Sequence, residues 1–315
     1  MTMVNHMKQT PLHSETPVFE SIPISQRLGK KVYLKMDCFQ PAGSYKIRGM
    51  GRISQEAVAA GKTHLIAPSG GNAGYAVAYA GRQMGVQVTV VLPSRTAPAV
   101  RERIAAQGAE VIVHGDVWDD SYQYALELAD QVNGICIHAF DHPTIWAGHA
   151  TMIDEIVHQC PKPDVITLSV GGGGLLCGVV EGLQRHGWDD VPVITVETEG
   201  AASFAGAVAA GELITLPTID SIATTLGAKR VTPKALEWTK SHPITPITVS
   251  DRDAVDAIRL FAADHRILVE PACAVSLVPL YQNAPVIQSA HSVLAIVCGG
   301  IGISVEKLIE WEQTV

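Results

Sequence analysis

The chain has 315 residues, enough for two domains of about 150 residues each or for one large α/β unit. At 47% apolar and 17% charged it is too apolar and too weakly charged for a disordered or fibrous protein. Lys and Arg total 23 against 31 Asp and Glu, a net charge of −8 with no basic tract, which argues against nucleic acid as a partner.

From residue 63 onward, apolar β-branched runs of strand length alternate with Ala-rich stretches of helical period, punctuated by Gly and Pro. The pattern predicts a strand over 63–68, a helix over 73–84 stopping at Gly85, and a strand over 86–92. A helix near 97–107, a strand over 109–115, a helix near 119–132 and a strand over 135–140 complete a first series. A second begins with a helix from Thr144 to Gln159, then a strand over 164–170, a helix over 175–186 and a strand over 192–197. The tail adds ITVSD before a helix near 251–264, ILVEP before another near 272–282, and SVLAIVCGG before a last helix from about 303. Such alternation predicts α/β architecture: two open, mostly parallel twisted sheets with helices on both faces and ligands at the C-terminal ends of strands.

Four stretches can carry chemistry. In Ser44-Tyr45-Lys46-Ile47-Arg48-Gly49, Ser44 is expected to cap a helix whose first turn holds Lys46, where the positive helix end and partial burial disfavour the ammonium and favour a nucleophilic amine. Ser69-Gly70-Gly71-Asn72-Ala73-Gly74, between a strand and a helix, offers free N–H groups to a carboxylate, although a plain turn capped by Asn72 fits it equally well. Gly171-Gly172-Gly173-Gly174 can wrap an oxyanion as a phosphate cup. Neither GxxxxGK[ST] nor the dinucleotide spacing GxGxxG is present, since Cys177 stands where the last glycine would be. Cys298, before Gly299 and Gly300, reads as a buried small residue or as a neutral partner for a ring nitrogen. An amine, a phosphate cup, a carboxylate socket and an uncharged polar tip together suit pyridoxal phosphate bound to an amino acid.

With these motifs in place, the chain resembles the serine/threonine dehydratase branch of the fold type II, tryptophan synthase β-like, pyridoxal-phosphate enzymes. SYKIRG, SGGNAGYAVAYAGRQMGV, SVGGGGLLCGVVEGLQRHGWDDVPVITVET, ILVEPAC and IVCGG follow that family's order and spacing from about Thr16 to the last helix. The resemblance implies that Lys46 holds the cofactor through a Schiff base, that Gly171, Gly172, Gly173, Gly174 and Leu175 bind its phosphate, that Asn72 contacts the 3′-oxygen and that Cys298 faces the pyridine nitrogen. Tyr45 is expected on one face of the ring, where Phe is more usual. Ser69, Gly70, Asn72 and Ala73 would hold the substrate carboxylate, and oxygens of Gly171, Glu197, Ala201, Ser203, Leu226 and Ala228 would ring a monovalent cation, K+ by preference. A large cofactor-binding domain of residues 1–45 plus 141–315, a small domain of residues 46–140, a cleft between them and a homodimer are likewise implied.

The implied reaction is elimination from L-serine, and from L-threonine, to pyruvate or 2-oxobutyrate and ammonia. Lys46 would take the Cα proton, and the cofactor phosphate is the nearest acid for the leaving hydroxyl. A thiol opposite the ring nitrogen moderates the electron sink and is consistent with elimination over transamination. Gly70 stands where related serine racemases carry a serine, so one-sided proton transfer is expected. The alternatives are a racemase, a β-replacement enzyme of the same fold, and an α/β protein binding some other phosphate.

Other features carry less. His138 and His142 are spaced like metal ligands but lack a third partner, and the pairs Asp119/Asp120 and Asp189/Asp190 read as caps and solvated charge. Residues 165–180 form the longest uncharged apolar stretch, short of the roughly 20 residues of a membrane span. The first fifteen residues show no secretory pattern, and six cysteines without a CxxC pair suit free thiols, so the cytoplasm is the expected compartment. The span after the last strand leaves no room for the regulatory domain of biosynthetic threonine deaminases, and isoleucine control is not expected.

Overall fold

The computed structural model describes residues 10–315; of the N-terminal stretch read above, residues 1–9 lie outside the described residues. The chain opens with β1 (Val18–Glu20), α1 (Ile22–Leu28), β2 (Lys31–Lys35) and α2 (Lys46–Ala59). There follow β3 (His64–Ala67), α3 (Asn72–Met84), β4 (Gln87–Leu92), α4 (Pro98–Ala105), β5 (Glu110–Val113), α5 (Trp118–Gln131) and β6 (Gly134–Cys136). Next come α6 (Pro143–Gln159), β7 (Val165–Ser169), α7 (Gly174–Arg185), β8 (Val193–Thr198), α8 (Ser203–Ala210), α9 (Pro233–Trp238) and β9 (Ile244–Val249). The last part holds α10 (Asp251–His265), the short α11 (Pro271–Ala274) and α12 (Val278–Tyr281), β10 (Ser292–Ile296) and α13 (Val305–Thr314).

Two sheets form. One has the order β1-β2-β10-β7-β8-β9, parallel except for the antiparallel edge pair β1–β2, and the other is a parallel sheet of order β5-β4-β3-β6. The central strands β3, β7 and β8 are buried along their whole length, as befits a parallel sheet covered on both faces, and so they read as unbroken apolar runs. Each sheet has its own apolar core. The helix stops also follow the sequence: Gly85 ends α3 in the left-handed conformation, φ 69°.

The strand orders place two crevices at strand C-terminal ends. In the small sheet β3 is followed by β4 on one side while β6 returns to its other side, and in the large sheet β8 and β10 flank β7. Chains leaving neighbouring strands in opposite directions open a crevice at their C-terminal ends. Residues 69–72 and 137–142 line one crevice; residues 170–174 and 297–300 line the other. Glycines let α2, α6 and α7 pack closely between the sheets: a Cβ on Gly148 would stand 2.5 Å from the Arg48 carbonyl, and one on Gly178 2.4 Å from His149 Cβ.

Three expectations need correction. The ILVEP segment forms no strand; residues 267–270 run extended outside the sheet. The helix expected near 272–282 is broken into α11, a 3-10 turn and α12, with Pro279 in the first turn of α12, because proline cannot continue the hydrogen-bond ladder of the preceding turn. Ser44 does not cap α2: Tyr45 holds the cap position, and the Ser44 hydroxyl is buried without a partner.

Candidate active site

Lys46 opens α2, and its Nζ donates to the Ala139 carbonyl, just beyond β6, at 2.8 Å. Burial pulls its pKa down to about 8, although the nearby Cys298 and Glu270 act to raise it. About a tenth of the amine is then unprotonated at pH 7, far more than for an ordinary lysine. The Nζ also lies 5.2 Å from the centroid of the Tyr45 ring, which in turn packs on His149 at 4.8 Å. The Tyr45 hydroxyl has no hydrogen-bond partner among the described residues.

The tetraglycine turn begins one residue after β7 and starts α7. Gly173 has φ +88°, and a Cβ there would meet Val231 and Ala235 at 2.8 Å, so glycine is required both by conformation and by space. A Cβ on Gly172 would stand 2.3 Å from the Phe140 ring. The first-turn amides of α7, Leu175 included, have no intrahelical acceptor and carry the positive end of the helix dipole. Unpaired amides at the start of a helix are what an anion cup requires.

Residues 69–74 behave differently from a plain turn. Asn72 is the first residue of α3 rather than its cap, and its side chain leaves the helix altogether. Its Nδ2 donates to Glu270 Oε1 at 2.7 Å, and its Oδ1 accepts from Ile301 N–H at 2.9 Å, tying the small sheet to the loops of the large one. The Ser69 hydroxyl accepts from Gly71 N–H at 3.3 Å, and a Cβ on Gly74 would lie 1.9 Å from the Ser69 carbonyl. The first-turn amides at Asn72, Ala73 and Gly74 are free of intrahelical acceptors.

Cys298 follows β10 and is buried, with its Sγ 3.6 Å from Ser169 Oγ and its carbonyl accepting from Tyr45 N–H at 2.9 Å. Cys273 and Cys38 lie close by, and burial pushes both thiols up, Cys38 to about 12. Burial thus keeps the Cys38 and Cys273 thiols in their neutral form.

Glu197, at the end of β8, is fully buried and accepts from Phe204 N–H at 2.9 Å and Ala205 N–H at 2.7 Å. Burial pushes it up to about 7, against the pull of those amides. The Ser203 hydroxyl beside it is buried without a partner, while a Cβ on Gly171 would meet the Leu226 carbonyl at 3.2 Å and Ala228 N–H donates to that same carbonyl at 2.7 Å. Ala201 is buried in the turn before α8. Among the described residues no group of three or more His, Cys, Asp or Glu could hold a metal. His138 and His142 instead accept local backbone N–H groups, and Asp120 caps the turn before α5.

Residues 9–299 match the family described as pyridoxal-phosphate dependent enzyme. The chain belongs to that family. It is 46% identical to the human L-serine dehydratase/L-threonine deaminase, over 96% of this chain and 95% of that protein. It is 43% identical to an L-serine dehydratase of Dictyostelium discoideum, over 99% and 95% of the two chains. The crystal structure of a fungal L-serine ammonia-lyase from Rhizomucor miehei superposes with a TM-score of 0.91 at 37% identity, covering 96% of this chain and 99% of that one. The fold is thus that of fold type II pyridoxal-phosphate enzymes, as the motifs implied.

The residues fit the family's cofactor. The site holds a buried amine of lowered pKa, a cup in which added Cβ atoms would clash, and the orphaned Ser44 hydroxyl two residues before Lys46. Sequence reasoning gave no role to Glu270, Thr225, Phe140 or His149. A carboxylate set inside the apolar run Ile267–Ala274 was a legible signal for Glu270, since an ionisable group in such a run has to find partners.

Proposed function

We propose that this chain eliminates water from L-serine, and from L-threonine, to give pyruvate or 2-oxobutyrate and ammonia. One observation carries the reading: Lys46, with its amine near pKa 8, bonds the Ala139 carbonyl next to Phe140, on which Gly172 and Gly174 of the tetraglycine turn pack, in a fold matched over nearly its whole length by a serine ammonia-lyase. Bound there, pyridoxal phosphate supplies an aldehyde for amine exchange and a conjugated ring that delocalises the electron pair left at Cα.

This chain's residues do the rest. The amides of Gly171, Gly172, Gly173, Gly174 and Leu175 hold the phosphate, and Tyr45 covers one ring face. The amides of Ser69, Gly70, Asn72 and Ala73, with the Ser69 hydroxyl, hold the substrate carboxylate, which fixes the Cα–H bond relative to Lys46. Lys46 would be the base for that proton; a pKa near 8 suits an amine that has both to accept and to release it. Ser169 and Cys298 would face the ring nitrogen with a hydroxyl and a sulfur rather than a carboxylate. Glu197, Ser203 and the carbonyls of Gly171, Ala201, Leu226 and Ala228 are the ligands we assign to a potassium ion, a donor set of hard oxygens. The division into residues 46–140 and the remainder, with the reaction in the cleft, is supported by the separate sheets and by the Asn72 contacts that cross between them.

Incubation of the purified protein with pyridoxal phosphate and L-serine tests this. Pyruvate and ammonia are expected in equal amounts, with Lys46→Ala inactive. D-serine formed as fast as pyruvate, or a product made only when sulfide is added, would replace the reading with a racemase or a β-replacement enzyme.

A further inference from the structure

The carboxamide of Asn72 is committed at both ends, oxygen to the Ile301 N–H and nitrogen to Glu270. A carboxamide has two ends of similar shape, and its partners decide which one points where. Here the reverse orientation would set N–H against N–H at Ile301 and oxygen against oxygen at Glu270. A single orientation survives, in which one proton of Nδ2 is engaged by Glu270 and the second is free.

Glu270 is built into this place. It is 2% exposed, and it also accepts from the Thr225 hydroxyl at 2.6 Å and from Gly302 N–H at 2.9 Å. Gly300 has φ +147°, and a Cβ on it would lie 1.9 Å from the Glu270 carboxyl carbon. Burial pushes the carboxyl pKa up, while its donors and the nearby Lys46 draw it down. Asn72 Nδ2 and Gly302 N–H can only donate and the Thr225 hydroxyl can do so, a set that suits a carboxylate; of the three, only the hydroxyl could accept the proton of a neutral acid.

We propose that Glu270 is a positioning residue that locks the Asn72 carboxamide in one orientation, keeping an N–H free for the oxygen beside the aldehyde of bound pyridoxal phosphate. This rests on the cofactor reading given above. The lock also joins the loop after β3 to the loop after β10, so the two sheets present their halves of the site in register.

The experiment is a titration of apoprotein with pyridoxal phosphate, reading the dissociation constant and the visible spectrum of the bound cofactor, for the wild type, Glu270→Gln, Asn72→Ala and the double variant. Glutamine keeps the shape but turns an NH2 group toward a donor. Glu270→Gln is expected to weaken binding about tenfold and to shift the spectrum. In the Asn72→Ala background the same exchange is expected to cost about twofold or less, that remainder being the lost charge near Lys46. Equal losses in both backgrounds, or an unchanged affinity and spectrum in Glu270→Gln, overturn the proposal. Should Glu270→Gln fail to fold, Thr225→Val removes one donor and is expected to shift the spectrum in the same direction only when Asn72 is present; a shift of equal size without Asn72 overturns the role. A wild-type chain that takes up no cofactor refutes the cofactor reading and this role with it, whereas additive losses in a cofactor-binding chain refute this role alone.

Discussion

The guanidinium of Arg48 meets the carboxylate of Asp37 through two hydrogen bonds, Nε to Oδ2 at 2.6 Å and Nη2 to Oδ1 at 2.9 Å, with both side chains fully buried. Arg48 also donates to both oxygens of Glu155 on α6, to which Lys35 of β2 adds a second cation. Two cations thus face two carboxylates. Because Arg48 lies two residues beyond Lys46, this network bolts the first turn of α2, and the amine it carries, to β2 and α6.

Removing Arg48 leaves buried carboxylates without their counter-charge. Arg48→Met is expected to destabilise the apoprotein by about 3–5 kcal/mol, and Arg48→Lys to recover only part, since an ammonium cannot make the paired contact. Denaturant unfolding measures this. A loss below about 1 kcal/mol in Arg48→Met would show that the network contributes little.

The lowered pKa of Lys46 has a signed consequence. Between about 8 and 10.5 the unfolded chain binds a proton that the folded one does not, so this group makes stability rise with pH across that window. Below about 8 both states are protonated and the burial penalty is in full force. Lys46→Met apoprotein should therefore gain stability over wild type at neutral pH and lose that gain above 10.5. The rate at which Lys46 of the apoprotein reacts with an amine-selective reagent should rise with a midpoint near 8; a midpoint near the ordinary lysine value of 10.5 contradicts this account.

Gly70 is hemmed in by Thr96, whose Oγ1 and Cγ2 would lie 2.6 and 2.7 Å from an added Cβ. Gly70→Ser alone is expected to lower pyruvate formation about tenfold or more without yielding D-serine, because the new side chain displaces the carboxylate loop. Combining it with Thr96→Ala restores the space. Chiral analysis of the product decides, and appreciable D-serine from Gly70→Ser alone would show that Thr96 does not restrict the position.

Glu197 carries the opposite sign to Lys46. Its pKa is raised from 4.5 to about 7, so without a cation the folded state binds the extra proton and stability falls as pH rises through that window. A cation held at the carboxylate offsets the loss. The melting temperature should therefore rise in potassium chloride, relative to a bulky-cation chloride of equal ionic strength, more above pH 7 than below 4.5. Equal shifts at both would place the ion elsewhere.

Much of this was legible in the residues because parallel sheets advertise themselves. A strand buried on both faces reads as an unbroken apolar run, and Gly85, which ends α3 as expected, marks a boundary through its own backbone freedom. Where the reading failed, a local preference met a tertiary one. ILVEP has the composition of a strand, yet it runs outside the sheet and delivers Glu270 to Asn72. Ser44 has the chemistry of a cap, yet its hydroxyl stays unpartnered. The edge strand β1 and its neighbour β2, outside the regular alternation, left no comparable signal.

The sequence by itself determined the alternation of strands and helices, the lysine at the start of a helix and the tight glycine turn at residues 171–174, because those depend on side-chain periodicity and on backbone freedom over a few neighbours. Strand order, and with it the crevices into which the site loops open, was decided only in three dimensions. So was the meeting of Asn72 with Glu270 and of Arg48 with Asp37 and Glu155: hydrogen bonds and desolvation act over a few ångströms of space, and they join residues whose separation along the chain carries no record of it.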